Sequence, residues 1–286
     1  MGIVLPYFNN IYKQKGWCKY EIYKDINVIV TPFFFYIGLI FFKLFCPNFL
    51  VFNIYGAIIG SLIITLVYKI LKKLECGKSL AFLTTLALYS ILQKSLFSNG
   101  PNYNFLVLAV ILMGIYLEIK QNKKQNRYTD LLQGIITFFV LFTKQNMGVY
   151  YLLAITVYKF IKYKNLRESI KCIMKIYSVI FLLGISFLIY LKVSGIWEGF
   201  FYYVISGTGD FLSNASIPAI GNSDMFFLII PITILVLGVI GIKKQRFSEE
   251  ENNNIKLLIC TAIASIGYII PLVNDGHIVK AAVINI

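Results

Sequence analysis

The sequence predicts an all-α, polytopic membrane protein with about eight transmembrane helices and a juxtamembrane or re-entrant helix near 32–45. Three observations carry this prediction. Apolar residues make up 58% of the 286 and charged residues only 14%, where a soluble domain carries about a quarter charged. Apolar runs of about 20 residues, the length a helix needs to cross a bilayer, recur along the chain. Basic residues gather between alternate runs, as they do in the cytoplasmic loops of membrane proteins.

Each element follows in order. Residues 1–31 are polar and aromatic and form a first loop, expected to be an outer one cut short at its start. Its Lys13, Lys15, Lys19 and Lys24 favour the inner side, whereas the short apolar run after it favours the outer one; the residues leave both open. The run 32–45 (PFFFYIGLIFFKLF) contains Lys43 and is too short for a full span, so it suits an interfacial or re-entrant helix. Pro32 fits its first turn, where a missing N–H costs nothing. The transmembrane domain, 32–286, then holds spans at 50–70, 79–97, 101–119, 171–192, 223–242 and 256–273, with an outer loop at 193–222. Two shorter runs, 131–143 and 147–161, are split by Lys144-Gln145-Asn146 and read as a tight pair of short helices. Trp197 and the run Phe200 to Tyr203 read as an interfacial amphipathic helix. The apolar segment beginning at 278 is expected to continue beyond the end of the chain.

The formal charge is +14, from 27 Lys+Arg against 13 Asp+Glu. In a soluble protein that balance suggests nucleic acid. Here 18 of the 27 basic residues fall in four clusters, at 69–78, 120–127, 159–175 and 243–256. These clusters occupy alternate connections, which assigns them to one cytoplasmic face and leaves nucleic acid unneeded. The opposite connections carry only Lys144 and Lys280. Cys18, Cys46, Cys76, Cys172 and Cys260 form no CxxC pair and read as small hydrophobes rather than ligands or disulfides. There is no Walker loop, no GxGxxG, no zinc spacing and no Ser-His-Asp signature.

Three places bear chemistry. Asp25, in Tyr23-Lys24-Asp25-Ile26-Asn27, precedes the short helix and stands where a carboxylate can act at the water–lipid boundary. Lys144 interrupts two apolar runs, where an ammonium costs about 2.5–3.5 kcal/mol at a helix centre unless it meets a counter-charge or a wet cavity; Gln145 and Asn146 favour the cavity. Asp275 and His277, the only histidine, share a turn after Pro271 and could exchange a proton near neutral pH. Each also has a plainer reading, as a solvated loop acid, a snorkelling lysine or an ordinary turn.

The segments YKDINVIVTPFFFYIGLIFFKLF (23–45), LVYKILKKL (66–74), TKQNMG (143–148) and IIPLVNDGH (269–277), in that order, resemble the bacterial multispanning glycosyltransferases of the GT-C superfamily. The likeness is to the family 39 group, the protein O-mannosyltransferase and aminoarabinose-lipid transferase relatives. The resemblance implies transfer of a sugar from a polyprenyl-phosphate donor to a lipid, glycan or protein acceptor at the outer face of the cell membrane. It implies Asp25 as base or acceptor-positioning acid and Lys144 with Gln145 at the lipid phosphate. Asp275 and His277 would line the outer cavity. Asn102 stands where relatives often carry an acid. No cofactor is required by the resemblance, with room for a divalent cation. In the family a further span ending near an acid precedes the first loop, so a fragment of a longer transferase is expected. The competing readings are a multispanning transporter or lipid flippase, with polar groups gathered at mid-depth, and a non-catalytic fragment.

Overall fold

The computed structural model describes residues 31–45, 49–99, 103–124, 126, 128–163, 165–207, 232–233, 235–240 and 247–269, side chains excepted at 91–99 and 266–269. Regular structure among them is entirely helical. The elements are α1 (Phe33–Phe45), α2 (Phe49–Lys73), α3 (Lys78–Asn99), α4 (Tyr103–Lys123), α5 (Thr129–Thr143), α6 (Gln145–Lys162), α7 (Leu166–Val193), the short α8 (Trp197–Phe200) continued by a π-helical turn (Phe201–Ser206), and α9 (Glu249–Ile269). Three of them, α2, α4 and α7, are long and apolar enough to cross a membrane.

Helix α1 has 13 residues, a length of about 20 Å, short of the ~30 Å hydrocarbon core. Its first turn is closed by the Pro32 carbonyl, which accepts from Phe35 and Tyr36 N–H at 3.0 Å each. Phe33 stacks on Phe139 of α5, with ring centroids 4.3 Å apart. Phe34, fully buried, packs against Tyr55 of α2 and Tyr103 of α4. These aromatic contacts, rather than length, hold the helix on the bundle.

Helix α4 is the central one. It packs against α2, α5 and α9, and an unbroken run from Phe105 to Ala109 is buried all round, as a helix at the middle of a bundle must be. Gly114 lets α6 approach: a Cβ there would fall on the Tyr151 hydroxyl and 3.1 Å from Ile136 Cγ2. Gly134 plays the same part between α5 and α7, where a Cβ would lie 2.8 Å from the Ile176 carbonyl oxygen.

The run on either side of Lys144 folds as the pair of short helices expected. Lys144 alone links α5 to α6, in an extended conformation with φ −157° and ψ 106°. So tight a reversal brings the first turn of α6 onto the last of α5. Gly148 permits it, since a Cβ there would sit 2.7 Å from the Leu141 backbone nitrogen.

Two boundaries differ from expectation. The charged stretch 162–170 reads as a loop, yet α7 begins at Leu166 and runs 28 residues. Asn165 caps it by accepting from the Arg167 N–H at 2.9 Å, and such a cap overrides low hydropathy. Arg167, Lys171 and Lys175 are therefore helical. Helix α9 likewise starts earlier than its apolar run. Ser248 and Glu251 form a reciprocal cap: Ser248 N–H donates to Glu251 Oε2 at 2.8 Å and Glu251 N–H donates to Ser248 Oγ at 3.2 Å.

Candidate functional site

The helices carry two polar constellations, at opposite ends of the α5–α6 hairpin. The first surrounds the Lys144 break. Its Nζ donates to Asn104 Oδ1 at 2.7 Å and stands 5.4 Å from the centre of the Tyr103 ring. Gln145 Nε2 donates to the Val204 carbonyl oxygen at 3.2 Å, which ties the break to the π-helical turn. The N-terminus of α4, the hairpin tip and the 197–206 segment therefore meet here. Asn146 spends its side-chain oxygen locally, accepting from Met147 N–H at 2.9 Å. Helix α5 has 15 residues, about 22 Å, and α6 has 18, about 27 Å, both shorter than the ~30 Å hydrocarbon core of a bilayer. Of the residues singled out from the sequence, only Lys144 and Gln145, neighbours in the chain, are among the described residues. Asp25, Asn102, Asp275 and His277 lie outside the described residues, although Asn102 directly precedes Tyr103 in the chain.

The second constellation was not anticipated. Lys159, completely buried, lies among Glu118 and Gln121 of α4 and Asp130 of α5. Its Nζ is 2.8 Å from Glu118 Oε1, and its well-aligned hydrogen bonds run to Glu118 Oε2 at 2.9 Å, Asp130 Oδ1 at 2.9 Å and Gln121 Oε1 at 3.2 Å. Three donors thus meet three acceptors, which is what an ammonium removed from water requires. Asp130 sits in the first turn of α5 and Lys159 in the last of α6, so each charge opposes the local end of its helix dipole. The network spreads outward. Tyr158 donates to Asn122 Oδ1 at 2.8 Å, Asn122 donates to Asn254 Oδ1 of α9 at 2.8 Å, and Lys175 of α7 stands 3.7 Å from Asp130 Oδ2.

This second cluster gathers the basic connections. Lys123 reaches Glu75 at 3.8 Å across two exposed side chains, an ion pair of small worth. With the bonds to Lys159 and Asn254, the described members of the basic clusters, Lys69 to Lys78, Lys120 to Lys124, Lys159 to Lys175 and Lys256, come to one end of the bundle. A groove of about 380 Å³ opens at that end, lined among others by Lys73, Glu75, Ser248, Glu251 and Asn254.

Sequence reasoning passed over the cluster because its lysine and aspartate sit beside loop charges. A signal existed: Gly114, Glu118, Gln121 and Asn122 follow helical spacing along one side of α4, and Glu118 falls at the end of the predicted span 101–119. Among the described residues no three His, Cys, Asp or Glu side chains are grouped to hold a metal. No family model, curated protein or solved structure matches this chain.

Proposed function

We propose that this chain is a multi-pass glycosyltransferase of the cell membrane, of GT-C type with about eight spans. It moves a sugar from a polyprenyl-phosphate donor to a lipid, glycan or protein acceptor at the face opposite the basic end. The observation that carries this is the Lys144 ammonium. It is part-buried at the hairpin tip, oriented by Asn104 and Tyr103, with the 197–206 segment beside it. A cation at the tip of a hairpin shorter than the hydrocarbon core suits a phosphate that arrives on a lipid rather than from bulk water.

The chemistry would be a single inverting displacement. A carboxylate takes the proton of the acceptor hydroxyl as its oxygen bonds to the anomeric carbon. The bond from that carbon to the phosphate oxygen breaks, and polyprenyl phosphate leaves. Lys144 stabilises the charge that grows on the phosphate. Asp25 is the proposed acid, Gln145, Asn102, Asp275 and His277 the proposed lining, and a divalent cation is compatible with the two aspartates. The transporter or flippase reading draws on the buried Glu118, Asp130 and Lys159. They lie within two turns of their helix ends, however, not at mid-depth where a carried substrate would bind.

The test uses the full chain in proteoliposomes with a panel of radiolabelled polyprenyl-phosphate sugars and mixed acceptors. Transfer of label with release of polyprenyl phosphate is expected, reduced about a hundredfold or more in Lys144→Ala, the loss typical of one charge-stabilising donor. Movement of the intact labelled lipid across the bilayer without transfer would overturn the reading in favour of a flippase.

A further inference from the structure

We propose that the exposed side of α7 binds a phospholipid with an anionic head group. The 28 residues of α7 measure about 42 Å, roughly 12 Å more than a hydrocarbon core. The excess falls at the N-terminal end, because the apolar residues fill the rest. There Arg167, Lys171 and Lys175 recur every fourth residue, on one side of the helix. Arg167 and Lys171 are exposed. Lys175 is a third exposed and 3.7 Å from Asp130 Oδ2, too far for a hydrogen bond, so this contact does not occupy its donors.

A further cation lies behind the stripe. The buried Lys162 ammonium has no hydrogen-bond acceptor among the described residues. It rests instead against the rings of Tyr158 and Tyr163, at 5.6 and 5.3 Å. Glu168 is the acid in the first turn of α7, beside cations on both flanks. Seven and fourteen residues beyond Lys175, on the same side, come Leu182 and Ile189, 63% and 58% exposed. Phe181, at 67%, widens that apolar track. A cationic patch continuous with a bare apolar stripe matches an amphiphile: the phosphodiester lies between Arg167 and Lys171, and an acyl chain follows Phe181 and Leu182, about 15–17 Å further along the helix from Lys171. A soluble anion would use only the first part. This inference is independent of the catalytic proposal.

The test reconstitutes the full chain in nanodiscs of phosphatidylcholine with a minority of phosphatidylglycerol and counts retained lipids by native mass spectrometry. Wild-type protein is expected to retain phosphatidylglycerol preferentially. Arg167→Gln/Lys171→Gln should lose roughly tenfold or more of that preference, while Lys69→Gln/Lys72→Gln, with the same change of net charge, keeps it. Circular dichroism of each variant checks that helix content is unchanged. Equal loss in both double variants would reduce the effect to surface charge and overturn the site. So would displacement of the lipid by millimolar inorganic phosphate, which would mark a site for free phosphate.

Discussion

Replacing Lys159 by Met tests the buried cluster most directly. Methionine keeps the length and apolar stem of the side chain and removes only its ammonium. Wild-type Lys159 holds two carboxylates and one amide oxygen, with bonds of 2.9, 2.9 and 3.2 Å, and no part of it reaches solvent. Without it, Glu118 and Asp130 are left buried, with oxygens within about 6 Å of each other and no cation between them. Removing one partner of a buried ion pair costs about 3–5 kcal/mol; Glu118 is stranded here while Asp130 keeps Lys175 at 3.7 Å, so the middle of that range applies. The assay is thermal unfolding in a neutral detergent, followed by loss of the monodisperse peak. A midpoint lower by roughly 10 °C or more is expected, since 1 kcal/mol shifts a domain of this size by about 2–4 °C. The triple variant Lys159→Met/Glu118→Gln/Asp130→Asn should recover most of the loss, because it removes the stranded charges along with the cation. A single variant as stable as wild type, or a triple variant no better than the single, would refute the account of a compensated charge cluster.

Other consequences can be checked in the same way. Gly148→Ala should cost about 1–3 kcal/mol, because its Cβ meets the Leu141 backbone at the hairpin tip; the same thermal assay reads it. Asn254→Ala breaks the bond to Asn122 and should lower stability by about 1 kcal/mol; adding Asn122→Ala should cost about 1 kcal/mol more, because it also removes the acceptor of the Tyr158 hydroxyl. Hydrogen bonds from Ser248 hold the Glu251 carboxyl below its ordinary value. Its cap is therefore fully formed above the usual carboxylate range and is lost as pH falls through the lowered value. Amide exchange over 249–252, corrected for intrinsic rates, should rise on acidification in wild type and be already raised at neutral pH in Glu251→Gln.

What could be read from the sequence was set by where apolar runs begin and end. The runs at 50–70, 79–97 and 101–119 lie inside α2, α3 and α4 apart from two residues at 101–102, which lie outside the described residues, because burial in lipid or core is the property that hydropathy measures. The polar break at Lys144 was visible for the same reason. The start of α7 was not, since its first turn depends on the Asn165 cap and not on apolar content. Nor was the role of Lys159: in the sequence it is one more lysine in a basic connection. Only the rotation of α6 points it at Glu118 and Asp130, 41 and 29 residues away. Of the proposed transferase site, the half around Lys144 and Gln145 has a described environment, and the half contributed by Asp25, Asn102, Asp275 and His277 does not.

The single-residue link between α5 and α6 has a mechanical meaning. At the tip the two helices are joined covalently through Lys144, with no slack to slide past each other. At the root, Lys159 of one grips Asp130 of the other. A rod pair fastened at both ends behaves as a strut: it can tilt as a unit but cannot shear. Anything that disturbs the tip is then felt at the root, some 22 Å away along α6, and the reverse holds as well. Loosening the ionic clasp would leave the pair joined at Lys144 and at the buried Gln133–Tyr151 bond, so that only the turns beyond that bond could part, toward the basic face.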